Sequence, residues 1–138
     1  MLQVYFISVL LNILGGIVLA FPILRERFNF LNVFEEFVNL INDNKDVRGF
    51  FGTVFLATSI LEIITPYSLP IIGNLLPAIS LFFIGFILFS SQKISTNLES
   101  NKEYGRFKSV LERNKKLIGI IAIIIGIIHF FAAKIPLL

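Results

Sequence analysis

From Leu2 to Leu24 the chain runs for 23 residues without a charged side chain. At ~1.5 Å per residue, a helix of that length crosses the ~30 Å hydrocarbon layer of a bilayer. Three more stretches behave alike. Gly49–Thr65 carries one acid, Glu62; Tyr67–Ser91 carries no charge; Leu117–Ala133 carries only His129 as an ionisable group. Fifty-six per cent of the 138 residues are hydrophobic and 15% charged, an apolar load too large for a water-soluble domain of this size. The expected fold is therefore all-α and integral to the membrane. A four-transmembrane-helix bundle forms one domain over 1–138, with spans at about 2–24, 49–65, 67–91 and 117–133 and connecting segments 25–48 and 92–116. The first span is not a signal peptide by its pattern, because Arg25 and Arg27 follow it and no basic residue precedes it.

Direction follows from the basic residues. Arg25, Arg27, Lys45 and Arg48 lie between spans one and two. Lys93, Lys102, Arg106, Lys108, Arg113, Lys115 and Lys116 lie between spans three and four. Eleven of the twelve Lys and Arg residues thus fall in alternate connections, which the positive-inside rule assigns to the cytoplasm. The expectation is a multi-pass protein of the cytoplasmic membrane with both termini outside. The same placement accounts for the net charge of +3, so nucleic acid is rejected as a partner. Both halves share one plan, a span inward, a cytoplasmic segment and a span outward, as in a parallel repeat of 1–66 and 67–138. Residue similarity between them is weak.

The first cytoplasmic segment contains "FNFLNVFEEFVNLIND" (28–43). Its apolar residues Phe30, Val33, Phe34, Phe37, Val38 and Ile41 recur at helical spacing, with Glu35, Glu36 and Asn39 opposite. An amphipathic helix follows, either packed under the bundle or docking a partner through Glu35 and Glu36. Segment 92–116 has a shorter stripe at Tyr104, Phe107, Val110 and Leu111.

Inside the membrane, spacing says where polar residues point. Gly119, Ala122, Gly126, His129 and Ala133 follow one another at intervals of 3, 4, 3 and 4, with large residues at the other positions from Leu117 to Phe131. Small residues in this rhythm mark a close helix–helix contact, with Gly119, Ala122 and Gly126 as packing positions and His129 on the same face. Ser8, Asn12 and Gly15 share a face of span one. Thr58, Ser59 and Glu62 cluster on span two, and Asn74, Ala78, Leu81 and Gly85 on span three. Measured from each span's middle, Glu62 and Asn74 lie ~9 Å and His129 ~4–5 Å toward the outside, while Asn12 is central. An intramembrane polar pocket of Asn12, Glu62, Asn74 and His129 is the resulting site expectation.

No complete catalytic set is present. The only aspartates, Asp43 and Asp46, belong to the cytoplasmic side, away from His129. Within the spans, strong metal ligands number two at most, Glu62 and His129; there is no cysteine, and no phosphate-binding glycine loop or cofactor motif occurs. The reading leans away from an enzyme. An accessory subunit or interaction partner within a membrane complex comes first. A homo-oligomeric transporter or channel using Glu62 and His129 for a proton or cation comes second, and an outward-opening pocket for a lipid or quinone third. The bilayer itself and a protein partner or second copy are the expected partners.

Overall fold

The computed structural model describes residues 2–65, 71–90 and 102–132, excluding the side chains of 2, 71–74 and 132. The described residues are almost wholly helical: α1 (Leu2–Arg27), a short 3-10 helix (Asn29–Phe34), α2 (Glu35–Asp43), α3 (Lys45–Ile64), α4 (Ile71–Ser90) and α5 (Lys102–Ala132). By length and composition α1, α3 and α5 each suffice to cross a membrane, and Leu75–Ser90 of α4 adds a shorter apolar stretch.

Helix α1 lies along α5, and α3 along α4; these are the two most extensive contacts, and α4 joins the pairs by touching both α1 and α5. Within each pair the helices run antiparallel. Tyr5 at the start of α1 meets His129 at the end of α5, and Ser59 late in α3 meets Ala78 early in α4. The alternation collects Arg25, Arg27, Lys45, Arg48 and the basic first half of α5 at one end of the bundle.

Both pairs are seated on glycines. A Cβ built on Gly16 would lie 2.5 Å from the Gly119 carbonyl oxygen and 2.6 Å from Ile123 Cγ1. On Gly85 it would lie 2.9 Å from Leu56 and 3.0 Å from the Gly52 carbonyl oxygen. From the facing helices, Gly119 would meet the Ala20 nitrogen at 2.8 Å, and Gly52 the Phe89 nitrogen at 2.8 Å. These contacts correspond residue by residue. Gly16 and Gly85, like Ala20 and Phe89, are 69 positions apart; Gly52 and Gly119, like Leu56 and Ile123, are 67 apart. Exchanging α1 with α4 and α3 with α5 converts one pair into the other, so the helices obey a pseudo-two-fold. Only backbone-to-backbone approach tolerates no Cβ, which is why glycine recurs where most else differs.

Two segments differ from the sequence expectation. Segment 92–116 reads in the sequence as a connection between spans, but from Lys102 onward it is helix, continuous with the span in a single 31-residue α5. Its lower half is held by rings: Phe86 of α4 packs edge-on to Phe107 at 5.2 Å and Tyr104 at 6.0 Å. The stretch 28–43 splits into the 3-10 helix and α2, and α2 lays Val38 and Ile41 against the bundle, both buried. Asn44 then caps α3, its Oδ1 accepting from the Asp46 and Val47 amides at 3.0 and 3.3 Å, a cap worth about 1 kcal/mol. Residues 66–70, 91–101 and 133–138, including Lys93, Ala133 and Lys134, lie outside the described part.

Large apolar side chains cover the outside. Phe6, Ile7 and Leu10 of α1, Ile60, Ile63 and Ile64 of α3, and Ile121, Ile124, Phe130 and Phe131 of α5 are all exposed. Such a surface is far larger than the apolar patches water-soluble monomers carry, and it suits a hydrocarbon solvent.

Candidate functional site

At the end of the bundle opposite the basic residues, α1, α3 and α5 bring polar side chains into a buried interior, and α4 contributes backbone carbonyls. Asn12 is fully buried, Glu62 is 1% exposed and His129 6%. The α1 positions Tyr5, Ser8 and Asn12 stand at i, i+3 and i+7, so one face of that helix meets both α3 and α5. Ser8 Oγ donates to Glu62 Oε2 at 2.5 Å. The Tyr5 hydroxyl donates to the His129 carbonyl oxygen, and its ring lies over the imidazole with centroids 4.5 Å apart. Asn12 Nδ2 donates to the Ser8 carbonyl at 3.0 Å and toward the Pro77 carbonyl of α4 at 3.4 Å. Ser59 Oγ donates to the Ala78 carbonyl at 2.8 Å, tying α3 to α4 one turn below Glu62.

The centre of the cluster is a pair. His129 Nε2 and Glu62 Oε1 face each other at 4.0 Å across the bundle, although the backbones of α3 and α5 do not pack together. That separation exceeds a hydrogen bond, and a single oxygen bridging the two atoms would lie within bonding distance of both. Neither atom has a hydrogen-bond partner among the described residues, and Asn12 Oδ1 has none either. Buried polar groups are ordinarily satisfied, so three such atoms in one cluster single out this end of the bundle as its most polar interior region. Among the described residues, no group of three or more His, Asp or Glu stands close enough to hold a metal ion.

Glu62 and His129 are 67 positions apart, which makes them equivalents under the exchange that relates the helix pairs. Equivalent positions touch only on the pseudo-two-fold, so the repeat itself places the acid and the imidazole face to face. Ser59 has the matching counterpart Gly126. Where Ser59 bonds the Ala78 carbonyl, a Cβ on Gly126 would lie 3.3 Å from the carbonyl of Val9, the equivalent of Ala78.

Of the pocket expected from sequence, Asn12, Glu62 and His129 come together, while the side chain of Asn74 lies outside the described part. Gly119, Ala122 and Gly126 form the α1–α5 contact face, with Ala122 fully buried. On α2, Glu36 is exposed, and Glu35 pairs with Arg25 of α1 at 3.0 Å. Sequence reasoning assigns neither Tyr5 nor Ser8 to the pocket, although their spacing from Asn12 is the signal that finds them.

A family model with no described function matches residues 1–129. The chain belongs to that family. No curated protein and no solved structure matches it.

Proposed function

We propose that this chain is a four-span protein of the cytoplasmic membrane that passes protons or a small cation by way of the Glu62–His129 pair. In this reading α4 also crosses the membrane, as the third of four spans, the basic end faces the cytoplasm, and the pair sits in the outer half of the bilayer. The positive residues gathered at one end support that direction. The single observation that carries the function is the 4.0 Å approach of two buried ionisable groups whose facing atoms have no other partner among the described residues. An acid and an imidazole at that distance can hand a proton between them through one intervening oxygen, and intramembrane ionisable groups typically mark ion or proton pathways. Asn12 supplies a third polar atom, and Ser8 orients the carboxyl group through Oε2 so that Oε1 faces the histidine.

The test is flux. Purified protein in liposomes carrying an internal pH dye or a cation dye is expected to dissipate an imposed gradient, and Glu62→Gln or His129→Ala is expected to abolish this with the fold intact. Equal flux in wild type and both variants overturns the reading.

The partner-subunit reading retains one supporting observation. Phe30 and Val33, just ahead of α2, are 69% and 83% exposed beside the acidic face of Glu35 and Glu36. A Glu35→Lys, Glu36→Lys variant that loses a co-purifying protein supports it; unchanged association removes it.

A further inference from the structure

The pseudo-two-fold that joins Glu62 to His129 leaves a second mark at the other end of the molecule. A cavity of about 270 Å³ opens there, and part of its lining is paired in the same way. Leu19 and Leu88 form an apolar floor, both almost fully buried, and are 69 positions apart. Arg48 and Lys115 stand above it and are 67 apart. Lys108 and Glu112 of α5, with Asn42 of α2 and Ile87 of α4, complete the lining and are not paired in this way.

Three cations face one acid, so the cavity is net positive by two charges however Glu112 is engaged. These four side chains are half-buried, whereas Lys102, Arg106, Arg113 and Lys116 on the same end are exposed. Positive charge has been turned inward here although water was available outside. Arg48 is also held in place: its Nε donates to the Ile41 carbonyl at 3.3 Å and its Nη2 to the Asn42 carbonyl, both at the C-terminal end of α2. A guanidinium has five N–H donors, and these bonds use two, leaving the remainder for an anion. Arg48 immediately precedes the apolar run that starts at Gly49, and Lys115 lies just before the one that starts at Leu117. That is the depth at which a bilayer places its phosphates.

We propose that this cavity is a phosphate-binding site, occupied by the headgroup phosphate of an anionic phospholipid with its first carbons over the Leu19–Leu88 floor. Arg48 and Lys115 clamp the phosphate from equivalent positions, and Lys108 closes the open side. The volume falls just under the roughly 300–1,000 Å³ of ordinary small-molecule sites and suits a headgroup. The proposal rests on the helix packing and is independent of the proton reading.

The experiment uses the full chain in a neutral detergent, offered phosphatidylglycerol or phosphatidylcholine, with bound lipid counted by native mass spectrometry. Wild type is expected to retain one phosphatidylglycerol and no phosphatidylcholine. Lys108→Gln with Lys115→Gln is expected to lower that retention at least tenfold. Lys102→Gln with Lys116→Gln removes the same charge from the exposed face and is expected to change it less than twofold. If both double variants weaken retention equally, or wild type prefers neither lipid, the proposal is overturned. Inorganic phosphate is the competing probe: displacement of the lipid at millimolar concentration keeps the site and assigns it to a soluble phosphate, and failure to compete assigns it to the lipid. Should the inward double variant not fold, Lys108→Gln alone, further from the floor, is expected to lower retention several-fold, and unaltered retention overturns the proposal.

Discussion

The α1–α5 and α3–α4 pairs are built on one contact and carry different chemistry. In each, two glycines let backbones touch at equivalent points, and beyond the glycines the side chains part company. Ser59 bonds a carbonyl where Gly126 merely approaches one; Glu62 stands where the other pair has His129. Packing in a membrane depends on backbone proximity, which few residues other than glycine allow, so it is shared between the halves by physical necessity. The polar positions carry no such necessity, and their divergence turns two equal sites into one acid facing one base. A symmetric arrangement would place two carboxylates or two imidazoles on the axis, where like charge makes double ionisation costly. The difference is what makes a complementary pair possible.

The harshest way to break the comparison is to fill the shared contact. Gly16→Leu forces α1 away from Gly119 and Ile123, and Gly85→Leu forces α4 away from Gly52 and Leu56. Both are expected to prevent folding in detergent, read as loss of a monodisperse peak. The milder Gly16→Ala and Gly85→Ala are expected to cost about 1–3 kcal/mol each, read as a lowered melting temperature. If one pair tolerates alanine and the other does not, the equivalence of the two contacts is wrong.

The axial pair comes next. Glu62→Gln and His129→Ala are each expected to destabilise by about 0.5–3 kcal/mol, because each removes the electrostatic partner that the opposite buried group faces across 4.0 Å. Reversing the pair, with Glu62→His and His129→Glu together, sharpens the test. The double variant is expected to recover part of either single loss but not all, since Ser8 Oγ then meets an imidazole and the equivalent position, Pro77, offers no hydroxyl. Strict additivity of the two single losses in the Glu62→Gln, His129→Ala double variant, read by thermal unfolding, would show that the groups do not interact.

Smaller effects remain. Ser59→Ala removes the hydrogen bond that Gly126 never makes and is expected to cost about 1 kcal/mol by the same thermal measurement. Least of all, Glu35→Ala breaks an exposed ion pair with Arg25, worth about 0–1 kcal/mol, and is expected to leave the melting temperature within a degree or two.

The spans are legible because an uncharged run of membrane length suits a bilayer and little else. The face holding Gly119, Ala122, Gly126 and His129 is legible because small residues recur at helical spacing among isoleucines. That Asn12 and Glu62 point inward follows in the same way. Which inward group meets which does not follow, because periodicity assigns a face and says nothing of the helix opposite. The first half of α5 reads as a connection because its charges break the apolar pattern, yet charge does not interrupt a helix, and Lys102 to Leu117 continues one. The repeat is suggested by the ordering of spans and hidden at residue level, since its halves share glycines and little else. The inward cations of the basic end are hidden by their own abundance: Arg48 and Lys115 look like any other positive residues flanking a span.

The unbroken course of α5 makes one rigid element of the span and its charged extension. The helix is about 46 Å long at 1.5 Å per residue, half as long again as the hydrocarbon layer, so roughly a third of it stands clear of the span. Its closest seat is the Gly16–Gly119 contact, with His129 ten residues beyond on one arm and the basic segment on the other. The basic arm and the axial pair therefore lie on one continuous helix, with no break in the chain between the charged end of the bundle and the 4.0 Å approach at the other.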